Sequence, residues 1–206
     1  MNAIGRRTND SCHDHYVGWE VFMRSIGCLM VEHRVIDRML SLLRHELAEI
    51  TKGGKVNWPL IDVAIDFFST YVDKFHHGKE EKILFTELEK KSLSKENKQI
   101  IDDLKEEHAF FHSTIERLKN EREWFATGEV TLDDLTSPLE AIINWYHVHT
   151  EKEDKQLFFL IAEYLSLQEQ TAIMEEFWGF DGAFTHEMYV GRIRELESRE
   201  VTPVCT

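Results

Sequence analysis

The sequence predicts an all-α protein, and three observations carry that expectation. No β-type alternation is sustained between Glu20 and Glu197. Apolar residues instead recur at three- and four-residue steps along four long stretches, the spacing of one helix face. The breaks between those stretches fall at residues that cap or end helices.

Helix one is expected over about 21–50, with Met30, His33, Ile36, Leu40, Leu43 and Leu47 on one stripe, and Gly53-Gly54 ends it. Asn57 is a good N-cap for helix two, where Pro59 is tolerated in the first turn. Its stripe runs through Ile61, Ile65, Phe68, Val72, His76, Lys79/Glu80 and Ile83. Ser94 caps helix three, which carries Ile101, Leu104, His108, Phe111/His112, Ile115 and Leu118 and closes at Gly128. Ser137-Pro138-Leu139-Glu140 reads as a capping box that starts helix four, whose stripe is Leu139, Ile142, Tyr146, His149, Glu153, Leu157 and Leu160. Two shorter helices, about 168–178 and 184–199, follow on either side of Gly179-Phe180-Asp181-Gly182. The chain therefore divides into a loosely ordered extension (1–22), a bundle (23–166) and accessory helices with a tail (167–206). No internal repeat of fixed period is legible.

Bulk properties narrow the function. A chain of 206 residues can bury one substantial core, and 42% hydrophobic with 30% charged residues is ordinary for a globular protein. No apolar run reaches the ~18 residues of a membrane span. Residues 1–11 lack the apolar stretch of a signal peptide. A net charge of −14 argues against nucleic acid and anionic membranes as partners. Cys12, Cys28 and Cys205 are odd in number and widely spaced, so they form neither a disulfide framework nor a CxxC knuckle; a reducing, cytoplasmic compartment is expected. No glycine-rich phosphate loop and no G-x-S-x-G occurs.

The informative residues are histidines and glutamates in phase with the apolar stripes. They are Glu32-His33 in helix one, His76-His77-Gly78-Lys79-Glu80-Glu81 in helix two, His108 and His112 in helix three, and His149 with Glu153 in helix four. Residues four apart share a helix face, so each of the last three segments offers a two-pronged grip. An isolated histidine on a core face is more often a hydrogen-bonded core residue than a ligand. Inward histidines and carboxylates on four helices need a common partner, which a cation supplies, because buried charge is costly when uncompensated. His77 and Glu81 form a rival pair rotated about 100° from His76 and Glu80; their neighbours in phase, Thr70, Asp73 and Lys74, are polar, which favours His76/Glu80. His45 and His147 read as surface residues, His13 and His15 belong to the extension, and His186 reads as surface or as cover for a bundle end. Gly78, inside helix two, costs about 1 kcal/mol against alanine and suits a close backbone approach.

These segments resemble a hemerythrin-like domain of the HHE cation-binding family. The resemblance rests on Leu29–Ile36, Phe75–Phe85, Glu107–His112 and His149–Phe158, spanning nearly two thirds of the chain. It implies an up-down-up-down four-helix bundle. It also implies two non-heme iron ions with an oxo or hydroxo bridge, held by His33, His76, Glu80, His108, His112, His149 and Glu153, the two glutamates bridging. Met23–Met30 resembles the usual beginning of such proteins, and the region around Phe180–Glu187 an accessory part of longer members. Oxygen-carrying relatives resemble a pattern with aspartate five residues after the fourth-helix histidine. Here Glu153 stands at four and Asp154 at five, which argues against pure oxygen storage.

With that ligand set, two six-coordinate irons have twelve positions. Five imidazoles, two bridging carboxylates and one bridging hydroxide leave one open position for a small ligand such as O2, peroxide or nitric oxide. Imidazole-rich donors suit iron and gentle redox chemistry better than hydroxylation. The implied function is binding or sensing of a small oxidant in oxidative or nitrosative stress, with an electron-donor protein as partner. The alternatives are a peroxide- or nitric-oxide-consuming enzyme, an iron storage or delivery module, and a structural bundle holding zinc or nothing.

Overall fold

In the computed structural model, residues 11–180 and 185–201 are described, and every regular element among them is helical. Helix α1 is Ser11–Thr51 and α2 spans 58–89; α3 is Lys95–Thr127 and α4 spans 132–164; α5 is Leu167–Phe180 and α6 is Thr185–Val201. No helix among the described residues is long and apolar enough to cross a membrane. Residues 1–10 and 202–206 of the expected extension and tail, and 181–184 of the expected break, lie outside the described residues.

Three caps expected from sequence are in place. The Asn57 side chain accepts from the Leu60 amide at 3.3 Å, and Ser94 Oγ accepts from the Asn97 amide at 3.1 Å. Gly128 ends α3 in the left-handed conformation at φ 79°. Two boundaries differ. Helix α1 starts at Ser11, about ten residues before the expected Val21, because no proline interrupts the segment and lengthening a nucleated helix adds one hydrogen bond per residue. Helix α4 starts at Leu132, not at the Ser137-Pro138 box. Thr131 and Asp134 form a reciprocal capping box, which leaves Pro138 inside the helix. An interior proline is costly, but Leu135 and Leu139 on either side of it are buried in the core and hold the turn in place.

Helix α2 is the unusual element. Phe67–His77 and Glu80–Phe85 follow the wider i→i+5 winding of a π-helix, and α4 does the same over Glu153–Leu157. All three segments touch the histidine- and glutamate-bearing turns. The buried apolar residues fall into two clusters. One gathers Ile36, Met39, Leu40, Phe67, Phe68, Phe111, Leu139 and Tyr146. The other gathers Leu29, Ile83, Phe85, Leu104, Leu157, Ile161 and Phe177. The histidines and glutamates lie between these clusters along the chain, on α1, α2, α3 and α4.

The last two helices pack onto this body. Helix α6 is tied to α1 by a two-point pair, Arg38 to Glu197 at 2.8 and 2.7 Å. Buried Tyr189 meets Phe67 edge-on, and the Tyr71 hydroxyl and His186 Nδ1 stand 2.7 Å apart, so His186 is half-buried against α2. Helix α5 covers the other cluster through Ile173 and Phe177. The ring of Phe180 rests on Gly78, where an added β-carbon would stand 3.1 Å from two ring atoms. Gly78→Leu is expected to unseat Phe180 and lower stability by about 1–3 kcal/mol. Gly78→Ala should cost much less, since its helix propensity gain of about 1 kcal/mol offsets a small shift of the ring. Urea midpoints check this; a Gly78→Leu protein as stable as the parent would refute the close packing.

Glu169 anchors the start of α5. Its carboxylate accepts from Lys91 Nζ at 2.5 Å and from the Ser166 amide at 2.9 Å, and these contacts hold its pKa down at about 2. A carboxyl depressed in the folded state contributes stability above its unfolded value, and loses it as pH falls through that value toward the folded one. The melting temperature should therefore fall between about pH 4.5 and 2, and Glu169→Gln should flatten that part of the profile. An unchanged profile would contradict the assignment.

Candidate metal centre

Helix α1 contributes His33, α2 contributes His76, His77 and Glu80, α3 contributes His108, and α4 contributes His149 and Glu153. All seven are buried. Their donor atoms form two groups that share both glutamates. His33, His76, Glu80 and Glu153 make one, and Glu80, His108, His149 and Glu153 the other, with His77 joining His108 and His149.

The carboxylates divide their oxygens between the groups. Glu153 Oε2 lies 3.1 Å from His33 Nε2, while its Oε1 lies 3.2 Å from His149 Nε2. Glu80 Oε1 lies 3.9 Å from His76 Nε2, while its Oε2 lies 3.5 Å from His108 Nε2. His33 and His76 face each other through Nε2 atoms 3.1 Å apart. The His77 ring stacks on that of His108 at 4.0 Å.

A carboxylate from an adjacent helix holds the far nitrogen of three of these rings. His76 Nδ1 meets Glu32 Oε2, His108 Nδ1 meets Glu81 Oε1, and His149 Nδ1 meets Glu107 Oε2, each at 2.8 Å. Lys79 donates to Glu32 and Lys152 to Glu107. A carboxylate on Nδ1 places the proton there and turns the Nε2 lone pair inward, as metal-binding histidines require.

The donor atoms suit a cation. Both oxygens of Glu80 and of Glu153, Nε2 of His108 and His149, and both ring nitrogens of His77 are buried and have no aligned hydrogen-bond partner among the described residues. Such groups are costly unless something satisfies them. Five imidazoles and two carboxylates exceed what one tetrahedral zinc uses and match borderline metals such as iron.

Protonation in the metal-free chain follows from burial and neighbours. Burial pushes the His76 pKa down to about 4, and pushes His77 well below the usual histidine range, helped by His108 and His149. Burial and the adjacent Glu153 carboxylate hold the Glu80 carboxyl well above its ordinary value. For His149 burial acts downward, but Glu153 and Glu107 outweigh it and hold the pKa up at about 9. Burial likewise opposes ionisation of Glu153, yet His149, His108 and His33 keep it well below the ordinary carboxylate value. The two buried carboxyls thus oppose each other's ionisation, and a divalent ion bound between them would displace a shared proton and leave both ionised.

The structure brings six of the seven expected residues together and places His112 elsewhere. His112 is exposed, with Nδ1 2.8 Å from Asp73. The reason is the step of the α3 stripe: Phe111, three residues after His108, takes the inward position, and His112 is rotated past it. His77, set aside for its polar phase, points inward beside His76. The π-winding of α2 turns successive side chains by less than the ~100° of an α-helix. Asp73, one of those polar neighbours, lies half-buried between His77 and His112. His45 and His147 are exposed, as expected.

Sequence reading also missed Glu81, Glu107, Lys79 and Lys152 as supporting groups. A signal existed in an internal repeat. Glu32-His33 answers to Glu107-His108, and His76-x-x-Lys79-Glu80 to His149-x-x-Lys152-Glu153. The offset between halves changes from one motif to the next, so no fixed period exposes it.

No curated protein and no solved structure matches the chain. A family model does, the hemerythrin HHE cation binding domain, over residues 25–161. That span holds His33, His76, His77, Glu80, His108, His149 and Glu153, and by this match the chain belongs to the hemerythrin HHE cation-binding family.

Proposed function

We propose that this protein is a di-iron protein of the cytoplasm that binds a small oxidant, O2, peroxide or nitric oxide, in defence against or sensing of oxidative or nitrosative stress. The ligands are His33, His76, Glu80 and Glu153 for one ion and His77, His108, His149, Glu80 and Glu153 for the other, within an up-down-up-down arrangement of α1 to α4. The observation that carries the reading is the division of each buried carboxylate's oxygens between two histidine groups. When bound, the iron pair supplies redox electrons and an open position for the small ligand.

The chain's own residues do the rest. Glu32, Glu81 and Glu107 fix the imidazole tautomers, and Lys79 and Lys152 neutralise two of those carboxylates. The apolar clusters on either side keep water out. With three imidazoles on one side and two on the other, the His33–His76 end would be the one able to take a further ligand. Neither nucleic acid nor a membrane is a partner in this reading; an electron-donor protein is.

A second reading, an enzyme that consumes peroxide or nitric oxide, is favoured by one contact. The half-buried Trp145 ring stacks on His149 at 4.4 Å and 16°, which offers electrons a path from the surface. Complete burial of His76, Glu80, His149 and Glu153 disfavours iron delivery. Exposing the reduced, iron-loaded protein to O2, peroxide and nitric oxide in turn separates these readings. Uptake of one equivalent with a changed spectrum supports binding, sustained consumption supports turnover, and no change with any of the three would refute both.

A further inference from the structure

The two halves of the centre differ at two positions one helix turn apart. In the register that sets His76 on His149 and Glu80 on Glu153, His77 falls on Thr150 and Asp73 on Tyr146. His77 is the third imidazole at the His108–His149 end, with Asp73 one turn before it. By the same register, Thr150 and Tyr146 take the matching places toward the His33–His76 end. The Thr150 hydroxyl is already engaged, donating to the Tyr146 carbonyl at 3.1 Å.

Tyr146 is not so engaged. The side chain is wholly buried, and among the described residues its hydroxyl has no hydrogen-bond partner. Its ring meets His33 edge-on, with centroids 6.3 Å apart, and lies 6.2 Å from the His149 ring. The phenol O–H, a donor at neutral pH, is therefore buried with its ring edge-on to His33, the imidazole contributed by α1. A phenylalanine would fill the same volume without burying an unsatisfied donor.

We infer that Tyr146 donates a hydrogen bond to the small ligand held at the His33–His76 end, and so selects ligands with an anionic or strongly accepting terminal atom. This rests on the two-iron reading. Tyr146 is then a specificity-determining residue, and Thr150 leaves the space that an imidazole would fill.

The test uses azide as probe on the oxidised, iron-loaded full chain, with iron counted in the same samples. Tyr146→Phe is expected to keep its iron, bind azide about tenfold more weakly, and shift the azide absorption and infrared bands. Thr150→His is expected to keep its iron and take up no azide. Wild-type affinity and bands in Tyr146→Phe at full iron content would overturn the inference while sparing the di-iron reading. Undiminished azide binding by iron-replete Thr150→His would also overturn it, by placing the ligand elsewhere. A wild-type chain that holds no iron would refute the underlying reading and the inference with it.

Discussion

Replacing Glu153 by alanine is expected to strip both metal positions at once. Its two oxygens face His33 on one side and His149 on the other, and among the described residues only Glu80 shares both donor groups with it. A residue that serves one ion would leave the second in place, whereas a bridge cannot. The loss should exceed the ~10–100-fold in affinity that follows removal of an outer hydrogen-bond partner. Glu32→Gln and Glu107→Gln, which weaken the hold on His76 and His149 without touching an ion, should show that smaller loss. Anaerobic iron titration followed by elemental analysis measures all three. One tightly held iron remaining in Glu153→Ala would contradict the bridging role.

The second large effect separates two histidines that the sequence ranks in the opposite order. His77→Ala should lose iron from the His108–His149 position, because His77 is buried against both of those rings. His112→Ala should keep its iron, since His112 lies on the surface against Asp73. Its cost in stability should be small, about 0–1 kcal/mol for a solvent-screened pair. The sign with pH is fixed: the hydrogen bond and charge of Asp73 raise the His112 pKa. That contribution is therefore complete below the ordinary histidine value and fades as pH rises through the raised one. His112→Ala protein that cannot hold iron, beside iron-replete His77→Ala, would reverse the proposed ligand set.

The fold was largely legible because its signals are local. Stripe periodicity and the Asn57, Ser94 and Gly128 caps act within a few residues, and the structure uses each of them. Pro138 misled because Thr131-x-x-Asp134, a few residues earlier, offers a second and complete capping box. For the centre, phase along an ideal α-helix recovers His33, His76, Glu80, His108, His149 and Glu153. It fails at His77 because α2 is wound as a π-helix, which side-chain spacing does not announce. It fails at His112 because His108 and His112 share a stripe only when the next inward step is four, and Phe111 makes it three. The carboxylates behind the histidines needed the tertiary structure, since each reaches across to another helix.

Iron stoichiometry of the anaerobically loaded chain, with absorption spectra before and after oxidation, tests the central claim most directly. Two irons per chain are expected, with bands that appear on oxidation and vanish on reduction. A single zinc, or no metal and an unchanged spectrum after iron loading, would contradict it.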